Sequence, residues 1–160
     1  MTIRSARWMI FGVLALCILG FGSPAARAAD AGKVCKLAIG ANDMMRFDKT
    51  SMTVGKDCAT IEVTLTHTGK LPIQVMGHNW TLVKTADIAA VATDSMTSTL
   101  QNDWVKPGDA RVIAHTKVIG GGQSTSVTFP MSKLKPGESY SFICTYPGHS
   151  ALMKGTFTIS

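Results

Sequence analysis

The segment Cys144-Thr145-Tyr146-Pro147-Gly148-His149-Ser150-Ala151-Leu152-Met153 places a thiol, an imidazole and a thioether within ten residues. The spacing is Cys-x4-His-x3-Met. Thiolate and thioether favour copper(I), while imidazole suits both oxidation states of copper. Pro147-Gly148 is a turn signal. A loop leaving a strand at Cys144 can therefore fold back and aim His149 and Met153 at one point. A second imidazole has to come from elsewhere. His78, in Met76-Gly77-His78-Asn79-Trp80, stands just before a strand-like run. Two histidines and one cysteine in a trigonal plane, with a long weak axial methionine, make an electron-transfer copper site. Gly77 allows close backbone approach, and its carbonyl could supply a second weak axial contact. Zinc accepts the same Cys and His donors, but a thioether is a poor zinc ligand and tilts the set toward copper. Such a closed set keeps no position for water or substrate, which argues for a redox carrier rather than a catalytic metal.

Taken singly, these residues have plainer readings. His149 alone is an ordinary loop histidine, and Met153 is one of nine methionines and suits a core. The cysteines sharpen the case. Of four, Cys17 lies in the apolar N-terminal run, leaving Cys35, Cys58 and Cys144. An odd number in an oxidising compartment leaves one thiol unpaired. Cys35 and Cys58 lie in the N-terminal third, whereas Cys144 lies far off among residues of a different kind. A lone exported thiol survives if it is buried or metal-bound. His67 ends an apolar strand face and reads as a packed core histidine. His115 reads as a surface residue.

The N-terminus reads as an address. Arg4 and Arg7 precede an apolar run of 14 residues, 9–22, followed by Ser23-Pro24 and the small pair Ala26 and Ala28. Basic, apolar, then A-x-A is a secretory signal, and the run is too short to span a bilayer. The expectation is a leader over residues 1–28, one domain over residues 29–160, and a periplasmic protein with no membrane insertion. The 160-residue chain carries a formal charge of +6. Without Arg4, Arg7 and Arg27 this falls to 13 Lys+Arg against 10 Asp+Glu, or +3. So small a surplus does not indicate a nucleic-acid partner. With 46% hydrophobic and 16% charged residues, the chain is not disordered.

The elements that would position these donors are short strands. Residues 60–67 alternate, with Ile61, Val63, Leu65 and His67 on one face and Thr60, Glu62, Thr64 and Thr66 on the other. Strands are also expected at 33–39, 80–83, 111–119, 124–129, 139–144 and 155–160. Turns fall at Pro107-Gly108 and Pro136-Gly137, and a single helix is expected at 85–98, where Thr85 can cap and Ile88, Val91 and Ala92 share a side. This pattern predicts an all-β sandwich or barrel.

The stretches Val75 to Trp80, Arg111 to Lys117 and Cys144 to Gly155 together resemble the azurins, bacterial members of the cupredoxin family of blue copper proteins. The x4/x3 spacing is the most specific part, and the resemblance runs from Cys35 to Ser160. It implies a Greek-key β-sandwich of about eight strands with one helical insertion, one type 1 copper, and a likeness to monomeric periplasmic electron shuttles. It implies His78, Cys144 and His149 as strong ligands, with Met153 and the Gly77 carbonyl as weak ones. It also implies a Cys35–Cys58 disulfide, Asn79 steadying the ligand loops, and Trp80 in the core. Electrons would pass at the edge of His149 through an apolar patch of Met45, Leu71, Val75, Met76, Pro147, Gly148, Ala151 and Leu152, with Met96 at a further patch position. Partners would be transient redox proteins such as c-type cytochromes or copper-containing reductases. His67 matches a histidine whose protonation is coupled to redox state in some members. Tyr146 stands where familiar members carry Phe, and its hydroxyl could bond near the thiolate. Ile143, Trp104 and Gly120-Gly121-Gly122 also depart from the usual pattern.

Two other function classes compete. A copper carrier or storage protein would hold the ion by exchangeable, exposed, Met-rich or His-rich ligands. A multicopper enzyme would need further histidines, and four, at positions 67, 78, 115 and 149, cannot build a second copper centre.

Overall fold

The computed structural model describes residues 32–160, so the expected leader lies outside the described residues. The strands are β1 (Val34–Asn42), β2 (Arg46–Phe47), β3 (Ser51–Val54), β4 (Thr60–His67), β5 (Thr81–Lys84), β6 (Val112–His115), β7 (Ser124–Pro130), β8 (Tyr140–Ile143) and β9 (Lys154–Ile159). They form two sheets, ordered β2-β1-β4-β7 and β3-β9-β8-β5-β6. The result is the expected β-sandwich, with nine strands among the described residues where about eight were expected. The pieces absent from the seven strands read along the sequence are the two-residue β2 and the short β3, whose Met52 and Val54 are buried between exposed Ser51 and Thr53.

β4 shows why the sheets stack. Its alternation buries Ile61, Val63, Leu65 and His67 and leaves its other face half-exposed. That outer face is finished with paired hydroxyls, Thr64 with Ser126 at 2.8 Å and Thr66 with Ser124 at 2.9 Å. From the opposite sheet and its approaches, Trp80, Phe142 and Phe157 enter the core, with ring centroids of Trp80 6.1 Å from each of the other two. Burying such aromatic side chains is the largest local contribution to the core, about 1.5–3 kcal/mol for each one fully buried.

Two helices interrupt the strands: α1 (Ile73–Met76), a single turn that the sequence pattern does not announce, and α2 (Ile88–Ser95). α2 is shorter than the expected 85–98. Thr85 does not cap it, because the Thr85 hydroxyl is paired with Ser141 at 2.9 Å, and a 3-10 turn, Thr85–Asp87, leads in instead. At the far end Thr93, Ser95 and Thr97 bond back to the carbonyls of Ala89, Ala92 and Asp94. Such back-bonding competes with the helix ladder and favours an early stop. Val91 packs in a small separate cluster with Val83 and Ile143. β6 also ends early, at His115. The Thr116 N–H still donates to the Trp80 carbonyl at 2.9 Å, but the Trp80 N–H turns to the Thr116 hydroxyl at 3.0 Å instead of its carbonyl, and the chain rejoins through a lone bridge between Ile119 and His78.

Cys35, in β1, is joined to Cys58, just before β4, with the Cα atoms 5.8 Å apart. β1 and β4 run parallel, in register from Val34–Thr60 to Ala41–His67. The bridge thus staples the start of a pairing that has no hairpin to hold it. Replacing both cysteines by alanine should lower stability by about 3 kcal/mol, the chain-entropy value for closing such a loop. Denaturant unfolding checks this, and an unchanged midpoint would contradict the stapling role.

Candidate metal centre

β5 and β8 are neighbours, and their register pairs Thr81 with Ile143. His78 lies three residues before Thr81 and Cys144 one residue after Ile143, so both emerge at the same end of the sheet. Cys144 opens a loop tied at both ends. Its N–H donates to the Met153 carbonyl at 2.9 Å, and the Met153 N–H donates to the His149 carbonyl at 2.8 Å. Gly148, at φ 80°, makes the left-handed turn that returns His149 inward. His78 is fixed from the other side by its two-way backbone bridge to Ile119, at 3.0 and 2.9 Å.

The structure brings three expected donors together. Cys144 Sγ lies 3.7 Å from His149 Nδ1 and 3.9 Å from His78 Nδ1, and the two nitrogens are 3.2 Å apart. A trigonal ion with bonds of about 2.0 Å to nitrogen and about 2.3 Å to sulfur separates its ligand atoms by about 3.5–3.7 Å. The triangle therefore fits one ion. His78 Nε2 lies 2.9 Å from the Asn42 carbonyl and donates its proton there, which leaves the Nδ1 lone pair facing inward. Met153 is fully buried beside this group, and His149 is 4% exposed. The other grouping of such side chains among the described residues, Cys35, Asp57 and Cys58, is taken by the disulfide.

Burial dominates the electrostatics. It pushes the Cys144 thiol up to about 12 and the imidazoles of His78 and His149 down to about 4. Each shift disfavours the charged form. At neutral pH the pocket thus offers two neutral imidazoles and a thiol, and only an added cation offsets the cost of a buried thiolate. The donor set fits a soft metal ion.

The supporting residues act largely as expected. The Asn79 amide donates to the Asp103 carbonyl at 2.7 Å and the Thr145 hydroxyl at 2.6 Å, and it accepts the Thr145 N–H at 2.8 Å. It spans the His78 and Cys144 segments. Trp80 is wholly buried. Gly77 is extended, at φ −75°, so backbone freedom is not what requires glycine there. A Cβ at that position would lie 2.5 Å from the Tyr146 ring, so close approach is the reason. His67 is buried and stacked on His78, with centroids 4.6 Å apart, and burial lowers its pKa against the opposing pull of Asp43. His115, expected on the surface, is half-buried and apart from the three donors. The Tyr146 hydroxyl does not serve the thiolate, because it donates to the Gln74 carbonyl at 2.8 Å.

Of the expected patch, Leu71, Val75, Gly148, Ala151 and Leu152 are exposed, while Met45, Met76 and Pro147 are half-buried. Met44, 68% exposed, lines a surface hollow with Leu152 and was missed by sequence reasoning. Met96 is exposed just beyond α2. Asn42 was missed as well. It acts through a backbone carbonyl, which its side-chain identity does not reveal.

A family model for copper binding proteins of the plastocyanin/azurin family matches residues 33–160. The chain belongs to the plastocyanin/azurin family. An azurin of Pseudomonas aeruginosa is 56% identical over 125 residues, covering 78% of this chain and 84% of that protein. An azurin of Pseudomonas chlororaphis is 52% identical over 125 residues, covering 78% of this chain and 98% of that protein. Among solved structures, an azurin of the obligate methylotroph Methylomonas sp. strain J superposes with a TM-score of 0.76 at 41% identity, covering 79% of this chain and 98% of that one. The sandwich is thus the cupredoxin fold, and copper is the metal of the family.

The metal-free protein should be least stable at the extremes of pH. An unfolded chain protonates its histidines below about pH 6.5, whereas His78 and His149 in the fold resist until about 4. The unfolded state then binds more protons, so stability falls as pH drops from 6.5 toward 4. Above about pH 8.5 an unfolded cysteine ionises first, and stability falls again. Denaturant midpoints at pH 4.5, 7 and 10 check this, and a flat profile would count against the buried neutral triad.

Proposed function

We propose that the chain is an exported type 1 copper protein that carries single electrons between redox proteins. The observation that carries this reading is the closed, buried triangle of His78, Cys144 and His149. In this reading those three residues are the strong ligands, and Met153 with the Gly77 carbonyl are weak axial ones. When bound, copper supplies one-electron exchange between Cu(II) and Cu(I). The protein's part is to hold the ligands still. Asn42 orients His78, Asn79 joins the two ligand segments, and the loop's own hydrogen bonds fix Cys144 and His149. A site that need not rearrange suits two oxidation states equally, and a closed donor set supports a carrier rather than an enzyme.

His149 lies nearest the surface, beside exposed Gly148, Ala151 and Leu152. We assign this apolar rim, with Met45, Leu71, Val75, Met76 and Pro147, as the face that meets partners. A small apolar contact suits a brief encounter. Partners of the c-type cytochrome or copper-reductase kind fit a monomeric shuttle. Residues 1–28 would direct export to the periplasm and be removed, leaving 29–160 as the working domain. No helix among the described residues is long and apolar enough to cross a membrane. Tied, buried ligands favour this reading over a copper carrier or store, which needs exchangeable donors.

Copper(II) added to the purified protein should produce an intense blue absorption. Cys144→Ser should abolish the colour while leaving a folded β protein, and Met153→Leu should keep it but raise the potential, since a donor that favours copper(II) is lost. An unchanged spectrum in the first variant, or a fall in potential in the second, would contradict the ligand roles. Leu152→Glu should slow electron exchange with a cytochrome partner while leaving the spectrum intact. Stopped-flow rates equal to wild type would remove the rim from the docking face.

A further inference from the structure

Besides Asn79, a second side chain outside the donor set joins the two ligand-bearing segments. The Tyr146 hydroxyl donates to the Gln74 carbonyl at 2.8 Å, across 72 positions of sequence. Gln74 belongs to α1, a single turn in which the N–H groups of Val75 and Met76 both bond the Pro72 carbonyl. A helix this short leaves its last carbonyls without partners of its own, and Tyr146 satisfies one of them. The same ring fills the space where Gly77 would carry a side chain, with Cε2 at 2.5 Å and Cδ2 at 2.7 Å from that position. On its other side it lies against His149, with centroids 4.7 Å apart.

Trp104 backs the ring edge-on at 5.9 Å. Trp104 itself sits at φ 53°, next to Asp103 at φ 55°. The left-handed region is costly for a bulky residue and persists only where surrounding contacts impose it. Asp103 provides those contacts, since its carboxylate accepts the Val118 N–H at 2.8 Å and its carbonyl accepts from Asn79. The wall behind Tyr146 is thus braced by the residue that also braces the ligand segments.

We propose that Tyr146 is a positioning residue whose hydroxyl latches α1 and Gly77 to the loop carrying Cys144 and His149. The latched ring sets the His149 imidazole and the Gly77 backbone in fixed relation to each other. This rests on the copper reading above and adds a residue to it. A phenylalanine would keep the ring contacts but lose the latch. Val75 and Met76 lie on the latched turn, so pressure on that part of the rim is felt by the ring beside His149.

The test is Tyr146→Phe, compared with wild type and with Tyr140→Phe. The latter removes a phenol hydroxyl at the far end of β8 that accepts the Lys135 N–H at 2.6 Å. In the metal-free protein, the Val75 and Met76 amides of Tyr146→Phe should exchange about fivefold faster, the usual effect of losing one neutral hydrogen bond. In the copper-loaded protein the potential should rise, because a backbone oxygen that favours copper(II) is held less firmly. Tyr140→Phe should alter neither. The proposal is overturned if either measurement for Tyr146→Phe stays at the wild-type value, or if Tyr140→Phe reproduces both changes. Wild-type protein that stays colourless with copper(II) sinks the copper reading instead, while exchange in the metal-free protein still decides the latch.

Discussion

Three soft or borderline donors stripped of water and held within 4 Å of one another form a costly arrangement for a folded chain. Burial drives Cys144 and both histidines toward their neutral forms. The pocket therefore holds no charge of its own and is complete only when a cation supplies one. Much of the surrounding structure serves to keep that arrangement from relaxing. The loop hydrogen bonds stop Cys144 from withdrawing, the Ile119 bridge stops His78 from turning out, and Asn79 ties the two segments to each other.

The core transmits this rigidity. Trp80 follows Asn79 directly and is locked among Phe129, Phe142 and Phe157, while Phe142 lies two residues before Cys144. Side chains in a close-packed interior do not yield by fractions of an ångström. The ligand segments are thus anchored by neighbours that have no chemistry of their own. The disulfide sits at the other end of the sandwich wall, where parallel strands lack a tight turn.

What the sequence made legible was whatever depends on side-chain type at short range. Cys144, His149 and Met153 stand on one loop, and their spacing alone announces a site. The strict alternation in β4 announces a buried face. His78 was harder: it offered itself as a candidate second imidazole, but its meeting with Cys144 depends on β5 and β8 being neighbours, a long-range fact that local spacing does not carry. Asn42 was invisible, since any residue has a carbonyl. β3 carried a readable alternation at Met52 and Val54, but four residues give little signal. The helix ran shorter than expected because three hydroxyl side chains turned back on its carbonyls, a local competition that periodicity does not register. Tyr146 was noticed as a departure, but its hydroxyl was assigned to the wrong neighbour. The true acceptor lies on a one-turn helix with no pattern of its own.

The pairing of β3 with β9 joins Met52 to Phe157, and the ligand loop lies between β8 and β9. β9 is thus the strand that joins β3 to β8 in the second sheet, and it begins directly after Met153. Contacts so distant along the chain make folding slow and concerted. A nascent or truncated polypeptide ending before β9 has cysteine and histidine but no finished cradle for them. The triangle of His78, Cys144 and His149 is therefore a feature of the assembled second sheet and of no single segment.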